Sequence, residues 1–263
     1  AGRKASSHRP FEGVGPVTPD TQIGDEAPWR TVAPSAIPFA EGWPTPRELT
    51  LAEIAEVRLA FAASARRALR AGFDVVEVHA AHGYLLSEFL SPISNHRTDA
   101  YGGDFEGRIR LLLEIVEDVR AIWPDDKPLF VRLSAVDGTA GGWSLDDSVA
   151  LAQRLKALGV DVIDSSSAGL TPSLETINKP GPGYQVPYAE AIRATGIATQ
   201  AVGLIVTPEL AESVIAEGKG RPALFDPNWP LHARRALDPE ADPAEGWPIQ
   251  AGYAVARMRA VVK

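Results

Sequence analysis

With 263 residues, 45% of them hydrophobic, the chain is long enough for one α/β barrel or for two smaller domains with a sizeable core. Its net charge of -8 argues against a nucleic-acid surface, because neutralising phosphates requires clustered Lys and Arg. It contains no cysteine, which excludes disulfides, thiolate zinc sites and iron–sulfur clusters held by this chain, and no apolar run approaches the ~18 residues of a membrane-spanning helix.

Residues 1–47 are rich in Pro, Gly, Ser and Asp and follow no sustained period, which predicts a long irregular excursion. Scattered apolar residues within it favour short strands folded over a surface. The chain begins without an initiator Met, so we expect a fragment or a processed chain. Arg3 and Lys4 are interpreted as residues of a solvated loop.

Strands and amphipathic helices alternate after this excursion. The first helix is predicted to begin at Arg47, with Thr50 and Glu53 as a capping box and Gly72 at its end. Four strands are predicted at 73–79, 129–134, 160–164 and 198–203, and further helices at about 106–122, 144–158, 187–195 and 208–217. Between them, polar residues 95–103 are expected to stiffen the long loop 83–103 through bonds to its backbone.

This alternation predicts an α/β fold with a parallel sheet, and the repeated βα unit favours a (β/α)₈ barrel. About four of the eight strands are visible. We therefore expect one partial barrel domain over 1–263, with the excursion 1–47 at the barrel mouth and a C-terminal tail at 238–263.

Two imidazoles and a phenol follow the strand at 73–79, namely His79, His82 and Tyr84. Ligands of parallel sheets bind at the carboxyl ends of the strands, so we predict an active-site loop here. The two histidines could instead be structural or bind a metal, although a third ligand of the usual spacing is missing. Tyr84 could instead pack under the loop.

Several segments match a known family. They are His79-Ala80-Ala81-His82-Gly83-Tyr84-Leu85, Glu88 to Pro92, Asn95 to Arg97, Asp99 to Gly103, Phe130 to Ser134, Gly183 to Pro187 and Pro227 to Pro230. Together they resemble the old yellow enzyme family, which comprises flavin-dependent ene reductases on a (β/α)₈ barrel, and within it the thermophilic-like or xenobiotic reductase branch. The resemblance places three barrel strands before Ala1 and a last strand between Gly218 and Arg221, so we expect four strands to be absent.

The resemblance implies an FMN-dependent NADPH dehydrogenase that uses NADPH or NADH to reduce the activated C=C bond of α,β-unsaturated carbonyl or related electron-poor compounds. It implies that His79 and His82 donate hydrogen bonds to the carbonyl oxygen of the substrate, and that Tyr84 supplies a proton. Ala80 and Ala81 are expected to line the substrate.

The same resemblance gives Arg132 a role beside the flavin, where it would stabilise the reduced ring at N1 and O2. Without the resemblance, a buried ion pair is an equally good interpretation of Arg132, and Glu77 could be its partner because both face inward by strand parity. Gly203, Gly220 and Arg221 are expected to hold the cofactor, the last two at its phosphate.

Two other functions stay open: an inactive barrel fragment that serves as a binding or assembly module, and a module of a dienoyl-CoA reductase-like flavoenzyme. We expect a small enone-like substrate, a homo-oligomer (dimer or tetramer) and a cytoplasmic location, with no nucleic-acid, membrane or metal partner. In this branch a C-terminal residue can reach the site of a neighbouring subunit, so Tyr253 or Arg257 could be intermolecular.

Overall fold

The computed structural model describes residues 2–5, 7, 15–18, 21, 29–172, 180–216, 234, 237–238 and 240. Strand β1 (Val32–Ala33) pairs in parallel with β2 (Arg47–Glu48), and helix α1 (Leu51–Arg70) follows. The prediction that this helix begins at Arg47 is wrong, because that residue is held in the strand pair. The predicted capping box is confirmed: the Thr50 side chain accepts from the backbone N–H of Glu53, whose side chain accepts from the backbone N–H of Thr50.

Nine further elements complete the described chain: β3 (Val76–Ala80), α2 (Leu85–Leu90), α3 (Phe105–Arg120), β4 (Leu129–Ser134), α4 (Leu145–Ala157), β5 (Val162–Ser166), α5 (Val186–Arg193), β6 (Ala198–Ala201) and α6 (Pro208–Ala216). All but α2 lie close to their predicted positions. Helix α2 lies in the segment that the sequence predicts to be a loop. Because residues 86–90 of this helix are all buried, the helix has no polar face, and its sequence shows no helical period.

Strands β3, β4, β5 and β6 form one sheet in that order, and each neighbouring pair is parallel. This confirms the predicted α/β class with parallel strands. Because the strands are parallel, their carboxyl ends all meet at one edge, where the segments that follow β3, β4 and β5 can share a site.

The core lies between the sheet and its helices. Alternate strand residues point to this side, and they pack against the apolar stripe of α3. The members on the sheet are Val78, Leu129, Val131, Leu133 and Ile163, and those on the helix include Leu112 and Ile115. The intervening strand residues occupy the opposite face, which is the polar one.

The long loop after β3 is held by side-chain bonds to the backbone, as predicted. Asn95 Nδ2 donates to the carbonyls of Phe89 and Tyr101, both at 2.7 Å. Arg97 is buried and donates to the carbonyl of Leu49 at 2.7 Å while pairing with Asp99. These bonds fix the path of the loop after β3.

Among the helices of the described ranges, none combines the length and the apolar character needed to cross a bilayer. The matching segment Pro227 to Pro230, and Tyr253 and Arg257 of the tail, lie outside the described residues.

Candidate active site

A row of four polar side chains crosses the sheet. In the strand register His79 lies opposite Arg132, Arg132 opposite Asp164, and Asp164 opposite Gln200. Because alternate strand residues share a face, all four project to the side away from the helices. The sheet thus presents an imidazole, a guanidinium, a carboxylate and an amide in one layer. The interior of a (β/α)₈ barrel is likewise filled by layers of side chains from neighbouring strands.

The chain leaves β3 through a turn that gathers the three predicted residues. His82 has φ 58° and Gly83 has φ 64°, so both lie in the left-handed region. The ring centroids of His79 and His82 are 5.2 Å apart, and those of His79 and Tyr84 are 5.6 Å apart. The positive φ at His82 reverses the direction of the chain, so that the rings of His82 and Tyr84 both lie beside the ring of His79.

His82 is fixed from two neighbouring strands. Its backbone N–H donates to Ser134 Oγ at 2.8 Å, and its Nε2 lies 2.7 Å from Ser166 Oγ. The Ser166 hydroxyl also lies 3.3 Å from Gln185 Oε1, to which it can donate. These supports were not assigned from the sequence, because only the strand register brings β4 and β5 to the turn after β3.

Both imidazoles are held in the neutral form. Burial lowers the pKa of His79, and the positive charges of Arg132 and Lys4 lower it further. Burial, followed by Arg132, His79 and Lys4, lowers the pKa of His82 to about 4. Near neutral pH each ring therefore carries one N–H donor and one bare nitrogen.

Ala80 and Ala81 act as spacers in this turn. Both are fully buried, and the side chain of Ala80 belongs to the core on the helix side of the sheet. Neither offers surface to a substrate, so their predicted substrate-binding role has no support in their side chains. Within the described ranges, no group of three or more His, Asp or Glu side chains could hold a metal ion, so the histidine pair has no third ligand there.

Arg132 pairs with Asp164 rather than with Glu77. Its Nε lies 3.4 Å from Asp164 Oδ2, and Asp164 is almost completely buried. Glu77, on the same face, interacts with Arg132 only through the electrostatic field; burial and Asp164 raise its pKa, and Arg132 lowers it. Asp164 was missed because strand parity alone does not show which of two inward carboxylates lies beside the guanidinium.

This face has the donors that a flavin ring needs. Arg132 Nε is buried without a hydrogen-bond partner among the described residues, and about 30% of the Arg132 side chain is open to the polar layer. Nε faces Asp164, so an acceptor-rich ligand on this face would meet the open part of the Arg132 side chain and its positive charge. The side chains present therefore fit the predicted cofactor at Arg132.

Gly203 has φ 102°, and a Cβ there would lie 2.5 Å from Gln185 Nε2 and 2.8 Å from Tyr184 Cε1. Close packing against these two side chains is sufficient to require glycine, whether or not a cofactor approaches. The other two predicted phosphate contacts, Gly220 and Arg221, lie outside the described residues.

The N-terminal cations are bound to the folded chain, Arg3 in its interior and Lys4 half-buried, which corrects their interpretation as residues of a solvated loop. Arg3 is 2% exposed: its backbone N–H donates to Glu88 Oε1 at 2.6 Å and its Nη2 donates to the carbonyl of Leu170 at 2.6 Å. Lys4 Nζ donates to the carbonyl of Gly169 at 2.9 Å. Both side chains bind a loop more than 160 positions away in the chain, so no local sequence pattern indicates these contacts.

A family model and a curated relative each match most of this chain. Residues 14–240 match the model of the family described as NADH:flavin oxidoreductase / NADH oxidase. An NADPH dehydrogenase of Geobacillus thermodenitrificans is 48% identical over 219 residues, which are 81% of this chain and 63% of that protein. The chain thus spans less than two thirds of the length of this relative.

Solved structures give the same result. A 2-naphthoyl-CoA reductase bound to 2-naphthoyl-CoA superposes with a TM-score of 0.72 at 27% identity, over 82% of this chain and 34% of that one. Morphinone reductase in complex with tetrahydroNAD superposes with a TM-score of 0.64 at 25% identity, over 86% and 65%. These likenesses confirm the predicted α/β barrel class, of which the described residues form four strands.

Proposed function

Because the chain belongs to the NADH:flavin oxidoreductase / NADH oxidase family, as its resemblance to the old yellow enzyme family predicts, we propose that it is an FMN-dependent oxidoreductase. It would oxidise NADPH or NADH and reduce the activated C=C bond of α,β-unsaturated carbonyl or related electron-poor compounds. The observation that carries this proposal is the cluster of His79, His82 and Tyr84 beside the open face of Arg132.

The two neutral imidazoles suit a substrate oxygen on which negative charge develops. Fixed donors aimed at such an oxygen stabilise the transition state, and one of them can be worth about 3 kcal/mol. His82 is held at its backbone by Ser134 and at Nε2 by Ser166, so its orientation is fixed before the substrate arrives. The Ser166 hydroxyl has a single proton: when it is donated to Nε2 instead of to Gln185 Oε1, the His82 proton lies on Nδ1 and can be donated to the substrate.

Tyr84 is the proposed source of the proton for the α-carbon. It is 37% exposed, so the phenol can meet both solvent and substrate, and its ring contacts that of His79. As a general acid, the phenol hydroxyl can release its proton to a carbon that gains negative charge.

FMN would be held by Arg132, and by Gly203, Gly220 and Arg221 as the resemblance implies. When bound, it would supply the hydride that the β-carbon receives. Arg132 would offer positive charge to the pyrimidine end of the ring, and Asp164 would orient the guanidinium from its Nε side. The homo-oligomeric state and the cytoplasmic location stay predictions.

The test begins with the purified chain and added FMN, followed by anaerobic reduction with NADPH and then re-oxidation by 2-cyclohexenone. We expect a yellow complex whose re-oxidation by the enone is slowed ~10²-fold or more in Tyr84→Phe, since a general acid contributes that much. The reduction of the flavin by NADPH should be unchanged, because that step transfers no proton from Tyr84.

The matched control is Tyr101→Phe, which removes a hydroxyl bonded to Glu114 on the far side of the long loop. It should leave both half-reactions at the wild-type rate. A preparation that takes up no FMN would contradict the proposed cofactor, and equal enone rates in wild type and Tyr84→Phe would contradict the role of the phenol.

The two alternative functions make different predictions in the same experiment. A binding or assembly module would stay colourless with FMN. A dienoyl-CoA reductase-like module would bind FMN but prefer a CoA thioester to the free enone; the likeness to 2-naphthoyl-CoA reductase favours including such a thioester among the substrates assayed.

A further inference from the structure

Arg3 and Lys4 lie against the candidate site, and Arg3 anchors this short segment. Its backbone N–H and its Nε both face Glu88 Oε1, at 2.6 Å and 3.4 Å, and Nη2 donates to the carbonyl of Leu170. Glu88 is completely buried on α2, so the anchor is part of the packed interior. The position of the next residue, Lys4, is therefore fixed at its backbone.

The Lys4 side chain spans two parts of the site. Its Nζ donates to the carbonyl of Gly169 at 2.9 Å. The same nitrogen lies over the ring of Tyr84, 5.0 Å from the centroid, and over the ring of Phe39 at 5.4 Å. A cation over an aromatic face is attracted by the ring quadrupole, so both rings favour the charged ammonium in this place.

Gly169 is in backbone contact with the catalytic turn. A Cβ on Gly169 would lie 2.7 Å from His82 Cα, and a Cβ on Gly83 would overlap the carbonyl oxygen of Gly169. Both glycines have positive φ, at 94° and 64°. A bond that restrains the carbonyl of Gly169 therefore also restrains the turn that presents His82.

Two cations, Arg132 and Lys4, lower the pKa of both imidazoles, while the carboxylates of Glu77 and Asp164 lie on the same face of the sheet beside Arg132. Arg132 and Lys4 act on His79, and Arg132, His79 and Lys4 act on His82. Burial is the largest cause of the low pKa of both rings, and the two cations add to it. Lys4 thus reaches the histidines both through the backbone contact and through its field.

We propose that Lys4 is a positioning residue of this site, which ties the Gly169 turn to the back of His82 and sets a positive charge over the ring of Tyr84. The assignment of the site itself rests on the proposed function, but the contacts of Lys4 do not require a bound flavin. Lys4→Met removes the charge and the hydrogen bond while keeping an unbranched side chain. Lys4→Arg keeps the charge and a donor.

The first experiment titrates the histidines of the flavin-free protein by NMR, with His79 and His82 assigned through Gln variants. We expect Lys4→Met to raise the pKa of both imidazoles above the wild-type values, and Lys4→Arg to restore the wild-type values. Lys127→Met is the matched control: Lys127 also donates to a carbonyl, that of Phe73 at 3.0 Å, and also lies over an aromatic ring, Trp123 at 5.9 Å. It should shift neither imidazole.

The second experiment measures enone reduction with the FMN-loaded protein. Lys4→Met should lower kcat/KM about tenfold or more at unchanged FMN content, because a small misplacement of a reacting group costs that much. Lys4→Arg should recover most of the loss.

Identical titrations of wild type and Lys4→Met would overturn the inference, and so would a shift of the same size in Lys127→Met. If Lys4→Met does not fold, Lys4→Gln is titrated in its place with the same expectation. A wild-type chain that binds no FMN but shows the expected titrations contradicts the proposed function alone. A chain that reduces enones while Lys4→Met titrates as wild type contradicts only the role of Lys4.

Discussion

Glu88 provides a direct test of how burial controls stability in this protein. The residue lies on α2 with none of its surface exposed. Its Oε1 accepts from Arg3, and its Oε2 has no hydrogen-bond partner among the described residues. Burial raises the pKa of this carboxyl to about 7 in spite of the opposing effect of Arg3. We therefore expect Glu88→Gln, which is neutral and of the same shape, to change the pH dependence of stability.

The size of this pH effect follows from the difference in the proton affinity of Glu88 between the folded and the unfolded protein. The rise from the ordinary value of 4.5 to about 7 corresponds to about 3 kcal/mol, since one pKa unit is worth ~1.4 kcal/mol. Between these pH values the folded protein holds the proton more tightly than the unfolded chain does. Stability from this group is thus fully present below pH 4.5, falls as the pH rises to about 7, and is constant above it.

The assay is urea unfolding of wild type and Glu88→Gln at several pH values from about 5 to 8. The Gln side chain is neutral at every pH, as the wild-type carboxyl is when it is protonated, so its own contribution to stability is constant across this range. On top of this constant, the relative stability of the variant should rise by about 2.5 kcal/mol from pH 5 to pH 8, since most of the full shift falls within this window. All other titrating groups are common to both proteins and cancel in the difference.

Glu106→Gln is the control with the same chemical change. Glu106 is exposed and pairs with Arg154 across α3 and α4, and such a surface pair contributes ~0–1 kcal/mol. Its stability relative to wild type should be nearly the same at pH 5 and pH 8. A Glu88→Gln difference that is equally flat would refute the reasoning, because the buried carboxyl would then not titrate in this range.

Two further predictions concern packing. Gly83→Ala should destabilise the protein by more than Gly103→Ala, although both glycines have positive φ: a Cβ on Gly83 would overlap the carbonyl of Gly169, whereas nothing lies within 4 Å of one on Gly103. Backbone strain alone costs ~1–2 kcal/mol, so equal free energies of unfolding would contradict the steric argument. Leu133→Ala, in the core side of β4, should cost about 2–5 kcal/mol in the same assay, and a loss below ~1 kcal/mol would show that the site is less tightly packed than the structure indicates.

The fold elements that were predicted well are those that depend on nearby residues. The capping box of α1 links Thr50 to Glu53 within one turn, and the apolar stripe of α3 repeats over four turns. Each such pattern is complete within its own segment, so it can be recognised without the tertiary structure. Helix α2 shows the limit of this reasoning, because a short helix that is buried all round has no periodic pattern to recognise.

In the candidate site, too, the residues that lie close together in the chain could be predicted, and the contacts between distant residues could not. The turn from His79 to Tyr84 is predictable as a candidate site because its three polar side chains lie in one short stretch after a strand. The partner of Arg132 is not, since Asp164 and Glu77 both share its face and only the register of three strands places Asp164 beside the guanidinium.

The alternation of strands and helices, the family resemblance and the choice of candidate site residues all follow from the sequence alone, because each is expressed in residues close together in the chain. Only the tertiary structure decided the environment of those side chains. The support of His82 by Ser166, and the burial of Arg3 against Glu88, join positions more than 80 residues apart. Such pairs form when strands align and helices pack, and no local pattern records which distant group will complete a hydrogen bond or exclude water from a charge.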